Sequence, residues 1–270
     1  MLYQRILTAI PLAILVFWII FYQSSEVFFG FLLFVVFVAA WEWARLSALP
    51  TVAARIAFAA VLTALLWAIS VYLQAYLEWL IYAAVMWWFS ISYYLKKATP
   101  QSPSQRFRMD KLLVAFIVLP AAAIAMRDIH AMNQGPQWLF YALSLVWVAD
   151  IGAYFSGKRF GRNKLAPNIS PGKTKEGLLG ALVATSLYTL AASFYFELDR
   201  EHSVLLVLAS VIVTLISVSG DLYFSFLKRE VGLKDSGRIL PGHGGILDRI
   251  DSVLAAMPVF LLAYQWFIAA

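Results

Sequence analysis

The sequence predicts an all-α, polytopic integral membrane protein with about nine transmembrane helices. Of its 270 residues, 62% are hydrophobic, and the mean hydropathy is +0.78, which exceeds what one soluble core of this length buries. Apolar runs close to the roughly 20 residues that cross a bilayer recur along the whole chain. These runs lack the alternation of outer-membrane strands, and lipid offers backbone groups no other partner, so we expect helices.

The predicted spans follow one another with no polar domain between them, which indicates one transmembrane domain over residues 1–270. The first span has no clear cleavage site behind it, so we interpret it as a retained anchor and not as a signal peptide. The nine predicted spans are residues 6–22, 27–44, 56–73, 77–95, 112–126, 138–156, 177–196, 203–227 and 251–268.

Basic residues are distributed to one side of these spans. If the N-terminus lies inside, all of the 21 Lys and Arg residues except Arg127 and Arg200 fall in inner segments. This bias predicts an inner (cytoplasmic) membrane protein with its basic loops in the cytoplasm and its C-terminus outside. The net charge of +6 therefore forms a basic face that attracts anionic headgroups and polyphosphates. The chain has no cysteine, which excludes disulfides and thiolate chemistry.

Charge is concentrated in residues 217–252, where it costs free energy and so indicates a functional site. Asp221, Ser225 and Lys228 share one helix face at i, i+4 and i+7. Asp248 and Asp251 share the first turn of the last helix. Hard oxygen ligands of this kind suit Mg²⁺, which binds through one or two carboxylates together with substrate phosphates. Alternatively, the acids of the last helix complement its dipole and Asp221 pairs with a lysine.

A glycine cluster, residues 241–245, directly precedes the last helix. Glycines such as Gly244 and Gly245 let backbone amides approach a phosphate at a helix N-terminus. The same cluster is also typical of an ordinary tight turn. His243 is interpreted either as an acid or phosphate donor or as a residue that stabilises the turn.

A second loop, residues 157–177, holds six basic residues that suit a triphosphate. Asp150, Tyr154 and Ser156 line the approach to it from within the membrane. The sequence supports two interpretations of Asp150: it pairs with a lysine, or it contacts a substrate directly.

The charged stretch resembles, in order and spacing, the signature of the bacterial phosphatidate cytidylyltransferases, the CDP-diacylglycerol synthases. The resemblance is strong over about residues 138–260. Phe224 departs from it, because the family commonly has glutamate there, and Lys175 replaces a frequent tryptophan. The matching positions are Ser225, Leu227, Lys228, Arg229, Lys234, Asp235, Ser236, Gly237, Leu240, Pro241, His243, Gly244, Gly245, Asp248, Arg249 and Asp251, with further blocks at Asp150, Gly152, Ala153, Tyr154 and Phe155 and at Ser170, Pro171, Lys173, Thr174, Glu176 and Gly177.

The resemblance implies a reaction that joins CTP to phosphatidic acid and gives CDP-diacylglycerol and pyrophosphate. It implies that Asp221 and Asp248 hold Mg²⁺, while a second metal ion or a monovalent cation stays open. The implied catalytic residues are Asp221, Lys228, Arg229, Lys234, Asp235, Asp248, Arg249 and Asp251. The implied substrate-binding residues are Asp150, Tyr154, Ser170, Lys173, Glu176, Ser225, His243, Gly244 and Gly245.

We therefore interpret residues 138–270 as the catalytic helices and loops and residues 1–137 as scaffold. The expected partners are CTP, phosphatidic acid and membrane lipids. We expect no nucleic-acid partner, and a homodimer is compatible with this architecture. Replacement of Asp221 or Asp248 by Asn is expected to abolish product formation without loss of folding.

Two other functions remain open at this stage. In a cation transporter, Asp150, Asp221 and Asp248 would be pathway sites, but all three lie near the inner ends of their spans, which favours chemistry at the membrane surface. In a CTP-dependent lipid kinase, only the γ-phosphate would reach the lipid.

Overall fold

Nine α-helices form most of the part of the chain that the structure describes. This computed structural model describes residues 2–100, 103–104 and 106–268. Each predicted span corresponds to one helix, and a 3₁₀ turn, Gln74–Tyr76, precedes α4. The helices are α1 (Leu2–Tyr22), α2 (Ser25–Leu46), α3 (Val52–Tyr72), α4 (Leu77–Leu95), α5 (Met109–Ala131), α6 (Gly135–Phe160), α7 (Lys175–Tyr195), α8 (Arg200–Glu230) and α9 (Leu247–Phe267).

Seven of the described helices, α2, α3 and α5 to α9, are long and apolar enough to cross a membrane. The chain is therefore an all-α, multi-pass membrane protein. Within the described residues, α1 contributes the apolar stretch Thr8–Tyr22, and α4 carries several Trp and Tyr residues. The exact number of spans and the side on which each terminus lies stay predictions.

Polar side chains fix the starts of several helices. The Thr51 hydroxyl accepts a hydrogen bond from the backbone N–H of Ala54 at 3.1 Å. In the same way Thr174 accepts from Gly177 at 3.0 Å, and Asp199 accepts from the N–H of His202 at 2.8 Å. Such caps satisfy amides that have no partner within the helix. Helices α3, α7 and α8 consequently begin before the apolar runs that predicted them.

The helix ends predicted on the basic side meet at one end of the bundle. Trp43, near the end of α2, donates its indole N–H to the Lys111 carbonyl at the start of α5 at 2.9 Å. The buried side chain of Lys111 forms an ion pair with Glu230 at the end of α8, and Ser104 N–H donates to the Glu230 carbonyl at 2.9 Å. Helices that cross the membrane in alternating directions are required to place these ends on the same side.

Glycines allow the helices that carry the candidate site to cross closely. A Cβ added to Gly152 of α6 would lie 2.9 Å from the carbonyl oxygen of Gly180 in α7. A Cβ added to Gly220 of α8 would lie 2.6 Å from the carbonyl oxygen of Asp251 in α9. Small residues at such crossings bring two backbones together. Asp221, the next residue after Gly220, is thereby held beside the start of α9.

The second basic loop contains a short hairpin that the sequence did not predict. Its strands are β1 (Lys164–Ala166) and β2 (Ser170–Thr174). They pair antiparallel, with Lys164 opposite Thr174 and Ala166 opposite Ser170. The hairpin gives a fixed direction to Lys173, which a loop without secondary structure would leave free.

Candidate active site

Lys173 of β2 and Asp221 of α8 form the first of two ion pairs at the inner end of the bundle. The Lys173 Nζ lies 2.6 Å from the Asp221 Oδ2, and both side chains are partly exposed. The Ser225 hydroxyl donates to the Asp221 Oδ1 at 3.2 Å, as expected for residues one helical turn apart. This pairing agrees with the alternative in which Asp221 has a lysine partner.

Lys228 and Asp248 form the second pair. The Lys228 Nζ donates to the Asp248 Oδ1 at 2.8 Å, so Lys228 bridges α8 to the first turn of α9. The Asp248 Oδ2 accepts from the Ser236 N–H at 2.8 Å, the Ser236 hydroxyl at 3.0 Å and the Gly245 N–H at 2.9 Å. Both oxygens of Asp248 therefore already have partners in this arrangement.

Asp150 of α6 and Asp251 of α9 complete a cluster of carboxylates around Asp221. The charge of Asp221 acts on both, and Lys173 contributes an opposing charge at each. The Asp251 Oδ1 accepts a hydrogen bond from the Ser252 N–H at 2.8 Å. Like charges held together away from water need cations to offset their repulsion. Lys173, Lys228 and Arg249 supply that compensation in the structure.

The glycine loop before α9 is an ordered turn. Leu240 and Gly244 form an isolated antiparallel bridge, with Leu240 N–H to Gly244 C=O at 2.9 Å and Gly244 N–H to Leu240 C=O at 3.1 Å. Gly244 has a φ of +85°, a conformation that glycine adopts without strain. The amides of Gly244 and Gly245 therefore bond within the protein. The tight-turn interpretation describes this geometry, and a phosphate cradle stays a prediction.

His243 of this loop contacts α1. Its ring Nδ1 is 2.8 Å from the Thr8 hydroxyl, while its backbone N–H donates to the Leu240 carbonyl at 2.9 Å. The ring also lines the large cavity described below. A role for His243 in proton transfer stays a prediction.

Other predicted site residues lie at the exposed surface around the cluster. Glu176 accepts hydrogen bonds from the backbone N–H groups of Arg162 and Asn163 at 3.1 and 3.2 Å, so it closes the loop that carries the hairpin. Tyr154 is exposed, and the Lys158 Nζ lies 5.8 Å from its ring centroid. The exposed charged residues are Arg229, Lys234, Asp235 and Arg249, and Ser170 begins β2.

Phe224 does not face the carboxylate cluster. Its side chain is 1% exposed, and its ring packs edge-on against Trp43 of α2 with the centroids 5.0 Å apart. The difference from the family at position 224 therefore affects the packing of the core and not the carboxylate cluster. The acids beside Asp221 come instead from α6 and α9, as Asp150 and Asp251.

Two cavities meet at Asp150. The larger, about 760 Å³, is lined mainly by apolar side chains of α1, α2, α5, α6 and α9, with Asp150, Arg249 and Asp251 among its polar lining residues. The smaller, about 340 Å³, lies between α6, β2 and α7 and is lined by Asp150, Tyr154 and Lys173 among others. The two cavities therefore share one carboxylate of the cluster, and the smaller one adds the side chains of Lys158 and Lys173.

Comparison with known proteins agrees with this arrangement. The sequence matches the family model described as Cytidylyltransferase family over residues 3–267. The chain belongs to the cytidylyltransferase family. It is 39% identical to a phosphatidate cytidylyltransferase of Pseudomonas aeruginosa, and the alignment covers 96% of each chain. It is 37% identical to one of Haemophilus influenzae, with 98% of this chain and 99% of the relative covered.

The carboxylate oxygens of this family member fit a magnesium ion at Asp221 better than at Asp248. Asp150, Asp221 and Asp251 offer carboxylate oxygens with fewer hydrogen-bond donors than Asp248 has, and carboxylate oxygens are the hard ligands that Mg²⁺ prefers. Asp248 is already saturated by Lys228, Ser236 and Gly245. Within the described residues, no three His, Cys, Asp or Glu side chains are arranged to hold a metal by themselves. Substrate phosphates would have to complete the coordination.

Two residues of the site received no role from the sequence. Glu42 of α2 is 0% exposed and contacts the loop before α9, and the Ser236 hydroxyl lies between Glu42 and Asp248. Glu42 stands inside an apolar span, a position where an ionisable residue usually has a function. That signal was present in the sequence. The interpretation of residues 1–137 as scaffold stays a prediction.

Proposed function

We propose that this chain is a CTP-dependent phosphatidate cytidylyltransferase that transfers CMP from CTP to phosphatidic acid. The observation that carries the proposal is that a large apolar cavity and a smaller cavity lined by Lys158 and Lys173 share Asp150 of the carboxylate cluster. A lipid phosphate and a nucleotide triphosphate have to be brought together at such a junction. The bacterial relatives described above are named phosphatidate cytidylyltransferases.

The larger cavity suits the lipid substrate. Its wall combines apolar side chains along α1, α2 and α5 with Arg249 near its polar end. Acyl chains gain free energy when they leave water for such a surface. An arginine beside the headgroup would bind the lipid phosphate, since guanidinium recognises phosphate with two parallel hydrogen bonds.

The smaller cavity suits the nucleotide. Lys173 and Lys158 are among its lining residues, and Tyr154 offers an aromatic face near its mouth. The exposed basic side chains of Arg229, in the last turn of α8, and of Lys234, in the loop before α9, would neutralise the outer phosphates. Without a nucleotide, Lys173 is paired with Asp221. Binding of CTP would transfer this lysine from the carboxylate to a phosphate.

The proposed step is an in-line displacement at phosphorus. An oxygen of the phosphatidate phosphate forms a bond to the α-phosphorus of CTP, and the bond from that phosphorus to the α–β bridging oxygen breaks. Pyrophosphate leaves with the electron pair of that bond. The phosphatidate phosphate is ionised near neutral pH, so no dedicated general base is required. The residues of this chain align the two substrates and neutralise their charge.

Asp221 and its neighbours Asp150 and Asp251 would hold a magnesium ion in the working enzyme. Such an ion supplies charge neutralisation on the transferring phosphoryl group. The predicted shared ligation by Asp221 and Asp248 remains part of the proposal, and it requires Asp248 to exchange a hydrogen bond. A second cation, a homodimer, the cytoplasmic orientation of the site and its location in the inner membrane are also proposals.

Two labelled forms of CTP test this function. Purified protein is incubated with phosphatidic acid, Mg²⁺ and CTP labelled either at the α-phosphorus or at the γ-phosphorus. The proposal predicts that the α-label enters lipid and the γ-label is released as pyrophosphate. Transfer of the γ-label to lipid would establish a lipid kinase instead, and cation flux without any lipid labelling would favour a transporter.

A further inference from the structure

Glu42 is a buried carboxylate with three hydrogen-bond donors. Its Oε2 accepts from the Leu247 N–H at 2.9 Å and from the Ser236 hydroxyl at 2.8 Å, and its Oε1 accepts from the Ile246 N–H at 3.2 Å. A buried carboxylate is strongly unfavourable unless donors surround it. These three donors all come from the loop before α9 or from the first residue of that helix, so α2 and that loop are joined at one group.

The start of α9 depends on Glu42 for its cap. Ile246 occupies the capping position and offers no side-chain acceptor. The first amides of a helix lack intrahelical partners and carry partial positive charge, which a carboxylate stabilises. Glu42 supplies this carboxylate from a distant part of the sequence. The position of the first turn, which includes Asp248, is therefore set by α2.

The Ser236 hydroxyl connects Glu42 to the ion pair of the site. It lies 2.8 Å from the Glu42 Oε2 and 3.0 Å from the Asp248 Oδ2, and Asp248 in turn bonds Lys228. Space around the carboxyl is tight, because a Cβ added to Gly237 or Gly245 would overlap Glu42. A continuous series of contacts therefore runs from Glu42 through Ser236 and Asp248 to Lys228.

We propose that Glu42 is a positioning residue that holds the loop of residues 234–246 and the first turn of α9 so that Asp248 and Lys228 are aligned for the nucleotide phosphates. The inference rests on the proposed function for its kinetic consequence. Its structural part, the anchoring of the loop, does not depend on the reaction. Glu42 touches neither substrate in this account and acts through Ser236 and Asp248.

Kinetics of Glu42→Gln provide the first test. The variant keeps the size of the side chain but loses its charge and one acceptor, so we expect the KM for CTP to rise about tenfold, the equivalent of one charge-assisted hydrogen bond. The KM for phosphatidic acid is expected to rise as well, because Ile246 and Asp248, which Glu42 positions directly or through Ser236, line the lipid cavity. A purely structural role would lower the active fraction and leave both KM values unchanged. Glu26→Gln, an exposed acid in the first turn of the same helix, serves as the matched control.

Hydrogen exchange provides a second test that needs no activity. In Glu42→Gln the amides of Ile246, Leu247 and Ser236 are expected to lose protection, while those in the middle of α9 keep it. Loss of protection together with an inactive wild-type protein would remove the proposed function but retain the anchoring role. Unchanged protection would overturn the proposal whatever the kinetics.

Ser236→Ala covers the case in which Glu42→Gln does not fold. This variant removes the hydroxyl between the two carboxylates and leaves the cap of α9 in place. It should also raise the KM for CTP, and where Glu42→Gln does fold, the effects of the two substitutions should not add in the double variant, since they act along one series of contacts. Wild-type CTP kinetics in Ser236→Ala, or simple addition of the two effects, would contradict the proposal.

Discussion

Lys228 and Asp248 form a 2.8 Å ion pair between α8 and α9. The lysine side chain is 11% exposed and the aspartate side chain 6% exposed. When one member of so buried a pair is removed, the other remains as an unpaired charge, which typically costs about 3–5 kcal/mol. This pair therefore couples the stability of the loop before α9 to the chemistry of the site.

Removal of either partner alone should destabilise the protein and abolish activity. Asp248→Asn and Lys228→Met should each lower the free energy of unfolding by about 3 kcal/mol. The double variant should regain most of that stability but no activity, since both charges are gone. Thermal unfolding in detergent and labelled product formation measure the two effects. The structure thereby revises the expectation that Asp248→Asn leaves folding intact, and an active double variant would refute the catalytic role of the pair.

Asp221→Asn should separate activity from stability. The Lys173–Asp221 pair is partly exposed, and pairs of this kind contribute about 0–1 kcal/mol, so the unfolding temperature should hardly change. Product formation should fall about a hundredfold or more, because the substitution neutralises a carboxylate that is proposed to hold the magnesium ion. Asp199→Asn is the control, since asparagine caps a helix as well as aspartate does. Substantial activity in Asp221→Asn would remove the metal assignment.

Gly220→Ala should separate α8 from α9 and reduce activity. The new methyl group would lie 2.6 Å from the Asp251 carbonyl oxygen and 2.9 Å from the Ala255 Cβ, so one helix has to move. Such overpacking typically costs about 1–3 kcal/mol. Gly30→Ala in α2 meets nothing within 4 Å and should leave both quantities unchanged or raise stability slightly. Equal activity of the two variants would show that the close crossing is unimportant.

Phe224→Glu should not improve the enzyme. Because Phe224 packs against Trp43 in the core, a glutamate there would be buried without a partner and should strongly destabilise the fold. Phe224→Leu, which keeps an apolar side chain, should cost less and remain active. Expression level, unfolding temperature and product formation measure the outcome. Higher activity in Phe224→Glu with an intact fold would place this position in the site after all.

The orientation of the chain can be tested directly, because the protein has no cysteine of its own. Single cysteines at exposed positions, Lys175→Cys at the basic end and Glu201→Cys at the opposite end, report which side each occupies. In intact cells a membrane-impermeant maleimide should label position 201 and spare position 175. The reverse pattern would invert the predicted topology.

The sequence predicted the helices well because apolar runs determine where a chain can enter lipid. All nine predicted spans correspond to helices, and Asp150, Asp221, Lys228, Asp248 and Asp251 meet at one end as expected. The boundaries were less accurate where a cap came from elsewhere. Helix α9 begins at Leu247, ahead of the apolar run, because Glu42 satisfies its first amides.

What the sequence did not reveal depends on contacts between distant segments. Lys173 lies in the hairpin and Asp221 lies in α8. Only the unpredicted hairpin explains how these two residues meet. Glu42 lies in a span that showed no specific motif, so its contact with Ser236 could not be inferred without coordinates. Residue types were visible in the sequence, but the partners of each charge were not.

The location of bound nucleotide tests the central claim most directly. A structure of the protein in lipid nanodiscs with a CTP analogue, whose α–β bridging oxygen is replaced by methylene, shows where the triphosphate lies. The account predicts that its phosphates contact Lys173 and Lys228 and that the α-phosphorus lies beside Asp221, where the two cavities meet. Nucleotide bound away from Asp150 and Asp221 would contradict it.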